Sequence, residues 1–447
     1  MYVETEHDFQ NLKRVIADGE SFWIPMYSDP YRHYMQNDIS FIYIYSISHD
    51  QDYIISFRHT DCLSLEIERL TELQSSYDIF VLAKKRFCRF YSNKCIDADL
   101  VAWWMTHKAL PLDDTNTMAH ESWNRWWYNE TNTHDWLPIT CHIERCMSMR
   151  QQFMKMYKTF ERTDSFDRYE RLLIDNMFAI ENAGISVQPD IFNEKLKADV
   201  LLGNTAYTEY NPYTITGRPS NKHGGVNYAA LNKDDKSRSA FVSRHNRGML
   251  LEMDFDAFHV RLIADMINYK LPIGSIHEYF GKQYFNVSEL TSEQYEESKQ
   301  ITFRLLYGGI DDDFAKIPFF GQVRNFIRKT WSEYKSNGVV HTPIMNRPMY
   351  QKHLPDMNPN KLFNYILQAS ETEHNLHVID NVLAILQEYK SQLVLYTYDS
   401  LLFDFDLSDG GDLVHTLVDT ISSQNKFPVK IKVGSDYHSM MTMNYRK

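Results

Sequence analysis

The chain has 447 residues, 43% of them apolar and 24% charged, which excludes a disordered, collagen-like or low-complexity protein and leaves room for about three domains. Lys+Arg 47 against Asp+Glu 59 gives a net charge of −12, so the overall basic footprint of a phosphate-binding protein is missing. No run approaches the ~18 apolar residues of a membrane helix, and the N-terminal MYVETEHDF has no apolar signal core. The expectation is a cytoplasmic protein with no membrane partner. Cys62, Cys88, Cys95, Cys141 and Cys146 are odd in number and read as reduced thiols. A zinc set from Cys141, His142, Cys146 and the Cys88/Cys95 pair lacks the short CxxC spacing, and the thiol reading is preferred.

Residues 1 to about 150 alternate short apolar runs with polar turns, and strands are expected at 21–27, 39–47, 53–57 and 79–82 with helix at 100–104, an α/β module. Between 147 and 183 the period becomes helical, with Tyr169, Leu172, Leu173, Asn176, Met177 and Ile180 on one face and Gly184 as the stop. Residues 193–236 are polar and turn-rich. A strand at 249–255 then runs into a helix at 257–267, and a long helix fits 292–307. Another helix starts at Pro359, a favourable first position, and reaches about 389. A hairpin follows, 393–398 and 401–405, with Asp399-Ser400 at its tip.

Two aspartates end apolar, strand-like runs: Asp254 in LLEMDFD and Asp399 in LVLYTYDS. Carboxylates at neighbouring strand ends suit a pair of hard cations about 3.5–4 Å apart, although either aspartate alone reads as a turn residue. Between them Lys299, Phe303 and Tyr307 recur every four residues and share one helical face. A cation and two rings so placed suit a triphosphate and a base pair, or else two core aromatics and a solvated lysine. Asn360, Asn364 and Gln368 form a second stripe, amides that can read base edges or face water.

The order of these motifs resembles the family A DNA polymerases, the Klenow-type enzymes of bacteria and phages, from about residue 165 to the C-terminus. YERLLIDNMFAIENAGISV resembles the helix leading into the thumb, TITGRPS the TGR segment, LEMDFDAFHVRLIAD motif A and SKQITFRLLYGG motif B. GVVHTPIMNR and NYILQASETE follow in the family's order, LYTYDSLLFDF resembles motif C, and FPVKIKVGSDY the closing strand. The resemblance implies an α/β right-hand polymerase with an N-terminal ribonuclease H-like, exonuclease-like domain. Its divisions are 1–150 degenerate 3′-5′ exonuclease-like domain, 151–212 abbreviated thumb, 213–271 palm, 272–350 fingers and 351–447 palm. It implies Asp254 and Asp399 as catalytic metal ligands, with the Phe255 carbonyl, for two Mg²⁺ ions that Mn²⁺ can replace. Lys299 would hold the dNTP triphosphate, Phe303 pack on its sugar and base, Tyr307 stack at the template position, and His277 contact phosphate. Arg218, Asn364 and Gln368 would follow the minor groove of a primer–template DNA. Lys236, Arg238, Arg244 and Arg247, just before motif A, read as a phosphate-facing strip or a solvated face.

The departures carry information too. His259 stands where motif A has the glutamate that screens the sugar 2′ position, and Tyr295 and Asn360 replace arginines. Of the usual HDE in motif C only the aspartate of Tyr398-Asp399-Ser400 is kept. Only about thirty residues remain for the thumb between Gly184 and Thr216, which implies low processivity without a processivity factor or other replication protein. The first 150 residues lack the nuclease carboxylate set: Asp29 has no D-x-E partner, and Asp97, Asp99 and Glu144 are approximate substitutes. Lys84-Lys85-Arg86 reads as a solvated strand or a single-strand DNA contact. The expected function is template-directed DNA polymerisation in replication, of a compact phage or viral kind without proofreading. The alternatives are a single-subunit RNA polymerase-like enzyme and an inactive DNA-binding or assembly factor.

Overall fold

The run FWIPMY has no polar residue to turn outward, so a strand made from it must be covered on both faces. In the computed structural model, which describes residues 1–29, 32–112, 126, 129–196, 198, 201–221, 225–232, 234–272 and 274–443, it lies inside a six-stranded sheet. The strands are β1 (Tyr2–Val3), β2 (Ser21–Tyr27), β3 (Ile39–Ser46), β4 (Gln51–Ser56), β5 (Ile79–Val81) and β6 (Ile96–Asp97), in the order β1-β4-β3-β2-β5-β6. β3 runs antiparallel to both its neighbours, while β2, β5 and β6 are mutually parallel. Alternation along β2 sends Trp23 to a core with Phe9, Leu12 and Ile16 of the helix Glu6–Ala17. Phe22 goes to the other face, stacked 4.3 Å from Phe153 of the helix Ile139–Tyr157. Pro25 is tolerated because β5 pairs only with Ser21–Trp23, so no ladder bond is needed on that side of Pro25.

The chain divides into two units, Met1–Tyr213 with Ser220–Phe241, and Thr214–Pro219 with Val242–Lys447. In the first, the helical stretch expected at 147–183 is two helices, Ile139–Tyr157 and Asp164–Ala183. The break is a capping signal: the Thr163 side chain accepts from Phe166 N–H and starts a new helix. Lys84-Lys85-Arg86 is neither strand nor solvated. It forms a helical turn, Lys84–Phe87, and each cation meets a glutamate: Lys84–Glu170 at 2.6 Å, Lys85–Glu181 at 2.5 Å and Arg86–Glu209 at 2.6 Å. Lys85 and Glu181 are buried, so this run braces the unit internally.

The second unit is built on a five-stranded antiparallel sheet, in the order Gln392–Thr397, Ser400–Asp406, Gly248–Phe255, Val429–Gly434, Met441–Met443. The central strand is again an apolar run, with Leu250, Leu251 and Met253 buried. The helices Phe258–Met266, Pro359–Leu386 and Gly410–Ile421 pack together. The helices Ile276–Phe285 and Ser292–Gly308 pack closely against each other; a Cβ on Gly281 would lie 3.0 Å from Ser298 Cβ. Thr291 and Gln294 form a capping box that fixes where the second of these begins. Among the described residues no helix is long and apolar enough to cross a membrane.

Candidate active site

Asp254 sits one residue from the end of the central strand, directly opposite Ser400 across the ladder. Thr397 pairs with Ser400, so the hairpin tip is Tyr398-Asp399, one residue earlier than the sequence suggested. Phe255 N–H donates to the Asp399 carbonyl at 3.0 Å, which ties the two aspartate-bearing segments together. Tyr398 has φ +59, a conformation a two-residue turn favours at that position but a bulky residue resists. Two contacts hold it there: Asn375 Nδ2 donates to its carbonyl at 2.7 Å, and the Arg218 guanidinium lies 3.6 Å from its ring centre.

The carboxylates feel each other. Burial, then the charges of Asp399 and Glu252, push Asp254 up to about 6. Burial, then Glu371, raise Asp399 as well. Among the described residues neither is ion-paired, whereas Glu252 is neutralised by Lys432 at 2.7 Å and bound by the Tyr437 hydroxyl. Two partly buried acids without an ion-pair partner, beside a neighbour that has one, are a donor set that fits hard divalent cations. Among the described residues no group of three or more His, Cys, Asp or Glu is gathered for a metal. In particular His142 is set with the rings of His59 and His134, at 6.1 and 5.9 Å, and not in a set with cysteines.

Motif B presents the face its spacing implied. Phe303 and Tyr307 are parallel, 6.2 Å apart, and Phe303 is 46% exposed in spite of its size. His277 faces them from the neighbouring helix, 6.0 Å from Phe303 and 6.3 Å from Tyr295. Among the described residues its buried Nδ1 has no hydrogen-bond partner, and burial lowers its pKa. Lys299 is partly exposed, paired with Glu296 at 2.7 Å and 4.5 Å from the Tyr295 ring centre. The Tyr307 hydroxyl is hydrogen bonded to His259 Nδ1, so the motif B helix is tied to the helix that follows Asp254.

Two amides of the second stripe are occupied. Asn360 Nδ2 donates to the Gly308 carbonyl and Asn364 Nδ2 to the Tyr307 carbonyl, each at 3.2 Å, which satisfies the open end of the motif B helix. Gly309 follows at φ +111, where a Cβ would lie 2.6 Å from Asn360 Nδ2. Gln368 lies one turn further on, half-buried. Arg218 is close to Asp399 through Tyr398, and the segment before it is held by the fully buried Arg347, which donates to the carbonyls of Ile215 and Thr216. Lys236 and Arg238 belong to the first unit, where Arg238 donates to the Leu231 carbonyl. Arg244 pairs with the fully buried Asp404 at 2.8 Å. Asp404 is opposite Leu250, four residues down the strand from Asp254, so Arg244 braces the far end of the sheet.

Sequence reasoning passed over Glu371, Glu373, Arg347 and Asn375, all buried. Two glutamates midway along a 28-residue helix that is mostly apolar at both flanks, 362–367 and 378–386, were the available signal, because buried carboxylates need partners.

In the first unit, two of the three substitutes for a nuclease carboxylate set, Asp97 and Asp99, are committed to the backbone. Asp97 accepts from Leu100 and Lys84 N–H and from the Tyr213 hydroxyl, and Asp99 accepts from Ala83 and Leu110 N–H. Burial raises both, Asp97 to about 6.

No protein-family model matches the chain, and no curated protein matches it in sequence. Among solved structures it is similar to the POL domain of Pol1 from M. smegmatis, solved in complex with DNA primer-template and dNTP. The TM-score is 0.71 at 14% identity, covering 98% of this chain and 100% of that one. The chain is a mixed α/β protein that shares the fold of that polymerase domain over nearly its whole length.

Proposed function

We propose that the chain is a template-directed DNA polymerase that extends a primer 3′-hydroxyl with dNTPs in DNA replication. The observation that carries this reading is the Tyr307–His259 contact. It ties the face bearing Lys299, Phe303 and Tyr307 to the strand end where Asp254 and Asp399 sit, neither of them ion-paired among the described residues. The fold, shared with a POL domain that binds DNA primer-template and dNTP, supports it.

Asp254 and Asp399, with the Phe255 carbonyl, would hold two Mg²⁺ ions, for which Mn²⁺ can substitute. Bound divalent cations supply activation of the primer 3′-hydroxyl and charge stabilisation at the leaving pyrophosphate. Lys299 meets the triphosphate by exchanging Glu296 for a more highly charged partner. Phe303 gives a flat apolar surface to the sugar and base, Tyr307 stacks at the template position, and His277 turns its Nδ1 to phosphate. Arg218 tracks the minor groove of the newest pair, with Asn364 and Gln368 along it; Lys236 and Arg238 add phosphate contacts. In this reading residues 1–150 are an exonuclease-like domain without nuclease activity, 151–212 a reduced thumb, 213–271 and 351–447 palm, and 272–350 fingers. The compact plan fits a phage or viral replication enzyme working in the cytoplasm with a processivity partner.

The test is extension of a primed DNA template by the purified chain with Mg²⁺, dNTPs and rNTPs being supplied separately. Extension by dNTPs that Asp254→Ala abolishes, with DNA binding retained, supports the reading. Extension by rNTPs alone favours an RNA polymerase, and equal inactivity of both proteins favours a binding or assembly factor. Removal of a mismatched 3′ end with Mn²⁺ would show that the first domain is a working nuclease.

A further inference from the structure

Glu371 is fully buried, and its carboxylate joins segments that lie far apart in sequence. Oε2 is 3.0 Å from His259 Nε2, and Oε1 is 3.0 Å from Arg218 Nη2. The other ring nitrogen, Nδ1, is hydrogen bonded to the Tyr307 hydroxyl, so both nitrogens of His259 are engaged. Arg218 in turn lies over the ring of Tyr398, the residue before Asp399. Tyr307, His259, Glu371, Arg218 and Tyr398 therefore form one continuous chain of contacts from the nucleotide-facing helix to the strand-end aspartates. Nothing in the packing of the 359–386 helix asks for an acid here: the adjacent Ala369, Ser370 and Thr372 are small and buried.

We propose that Glu371 is the positioning residue for sugar selection: it fixes His259 in one ring plane, so that the imidazole occupies the space a ribose 2′-hydroxyl would need. This rests on the polymerase reading above and deepens it. The physical reason is that an imidazole obstructs only if it cannot turn aside. Held by Tyr307 alone, the ring can rotate about that one hydrogen bond. Anchored at both nitrogens from two different helices, it cannot rotate without breaking a charge-assisted bond. A carboxylate is needed because both groups it serves are donors. A glutamine offers one acceptor and one donor, so it satisfies His259 or Arg218 but not both.

The experiment is single-nucleotide insertion on a primed DNA template by the full-length chain, with kcat/KM measured for a dNTP and its matching rNTP. The variants are His259→Ala, Glu371→Ala, Glu371→Gln and the double alanine. His259→Ala is expected to lower the dNTP-over-rNTP preference at least tenfold. Glu371→Ala should lose most of the same preference, Glu371→Gln should fall between it and wild type, and the double alanine should be no worse than His259→Ala alone, because one residue acts through the other. A general loss of folding would lower both substrates together; the ratio reports only selection, and the isosteric Glu371→Gln carries the test if alanine does not fold. Wild-type preference in Glu371→Ala alongside its loss in His259→Ala overturns the proposal. So do losses that multiply in the double variant, or an unchanged preference in His259→Ala. A wild-type chain that extends with neither nucleotide set removes the polymerase reading itself, a result distinct from all of these.

Discussion

Asp254→Asn removes a carboxylate that the fold holds against its ordinary ionisation. Burial, then Asp399 and Glu252, push its pKa up to about 6 from an ordinary 3.8, against smaller pulls from Lys432 and Lys430. A gap of roughly two pH units at about 1.4 kcal/mol each means that the ionised form costs about 3 kcal/mol of stability. The sign follows from proton binding: the folded chain holds this proton more tightly than the unfolded chain. Stability therefore falls as pH rises from about 4 through about 6 and stays lower above that. Asparagine carries no charge, so the variant should exceed the wild type by about 2–3 kcal/mol at pH 8, with the two converging below about pH 4. Urea denaturation in EDTA at pH 4, 6 and 8 measures this directly. Added Mg²⁺ should then stabilise the wild type and not the variant, because only the wild type keeps both ligands. Equal stability of the two proteins at pH 8, or a gap that does not shrink toward pH 4, refutes the electrostatic argument. An equal Mg²⁺ effect on both refutes the ligand role.

Lys85→Ala leaves Glu181 buried and unpaired, and should cost about 3–5 kcal/mol in chemical denaturation, most of which Lys85→Met with Glu181→Leu recovers. Glu296→Gln frees Lys299 from an exposed pair worth no more than about 1 kcal/mol, so the KM for dNTP should fall by up to about threefold, whereas Lys299→Ala should raise it at least tenfold in steady-state insertion assays. Asn364→Ala opens the end of the motif B helix, at a cost of about 1 kcal/mol. Hydrogen exchange should quicken at residues 303–308 and not at the capped start, 292–296.

What the sequence disclosed depended on whether the relevant contact was local. Strand β2, the central strand at 248–255, the motif B helix and the Pro359 helix start all follow from apolar runs, a four-residue period and caps, which are written within a few positions. The break at Thr163 was equally local and was overlooked because the apolar face on either side keeps the same period. The hairpin tip slipped by one residue because turn propensity favours Asp-Ser, while Tyr398 is carried in its strained conformation by Arg218 and Asn375, which no local pattern shows. Glu371 is the clearest instance. Its two partners lie 112 and 153 residues away, so only the folded chain shows why a carboxylate stands there.

The basic runs were the least legible feature, and their fate bears on the charge of −12. A cation in sequence is available to phosphate only if no carboxylate in the fold has claimed it. Arg86 is taken by Glu209 and Arg244 by the buried Asp404, in pairs that are largely shielded from water. Neutralising either should therefore change stability and not DNA affinity. Each phosphate contact contributes about 0.9 to the slope of log K against log[salt], so the titration separates the two roles. Arg86→Gln and Arg244→Gln should each keep the wild-type slope while lowering Tm. A slope reduced by about one in either variant would mean that the arginine leaves its carboxylate to meet DNA, and that the ion pairs seen here belong to the free protein alone.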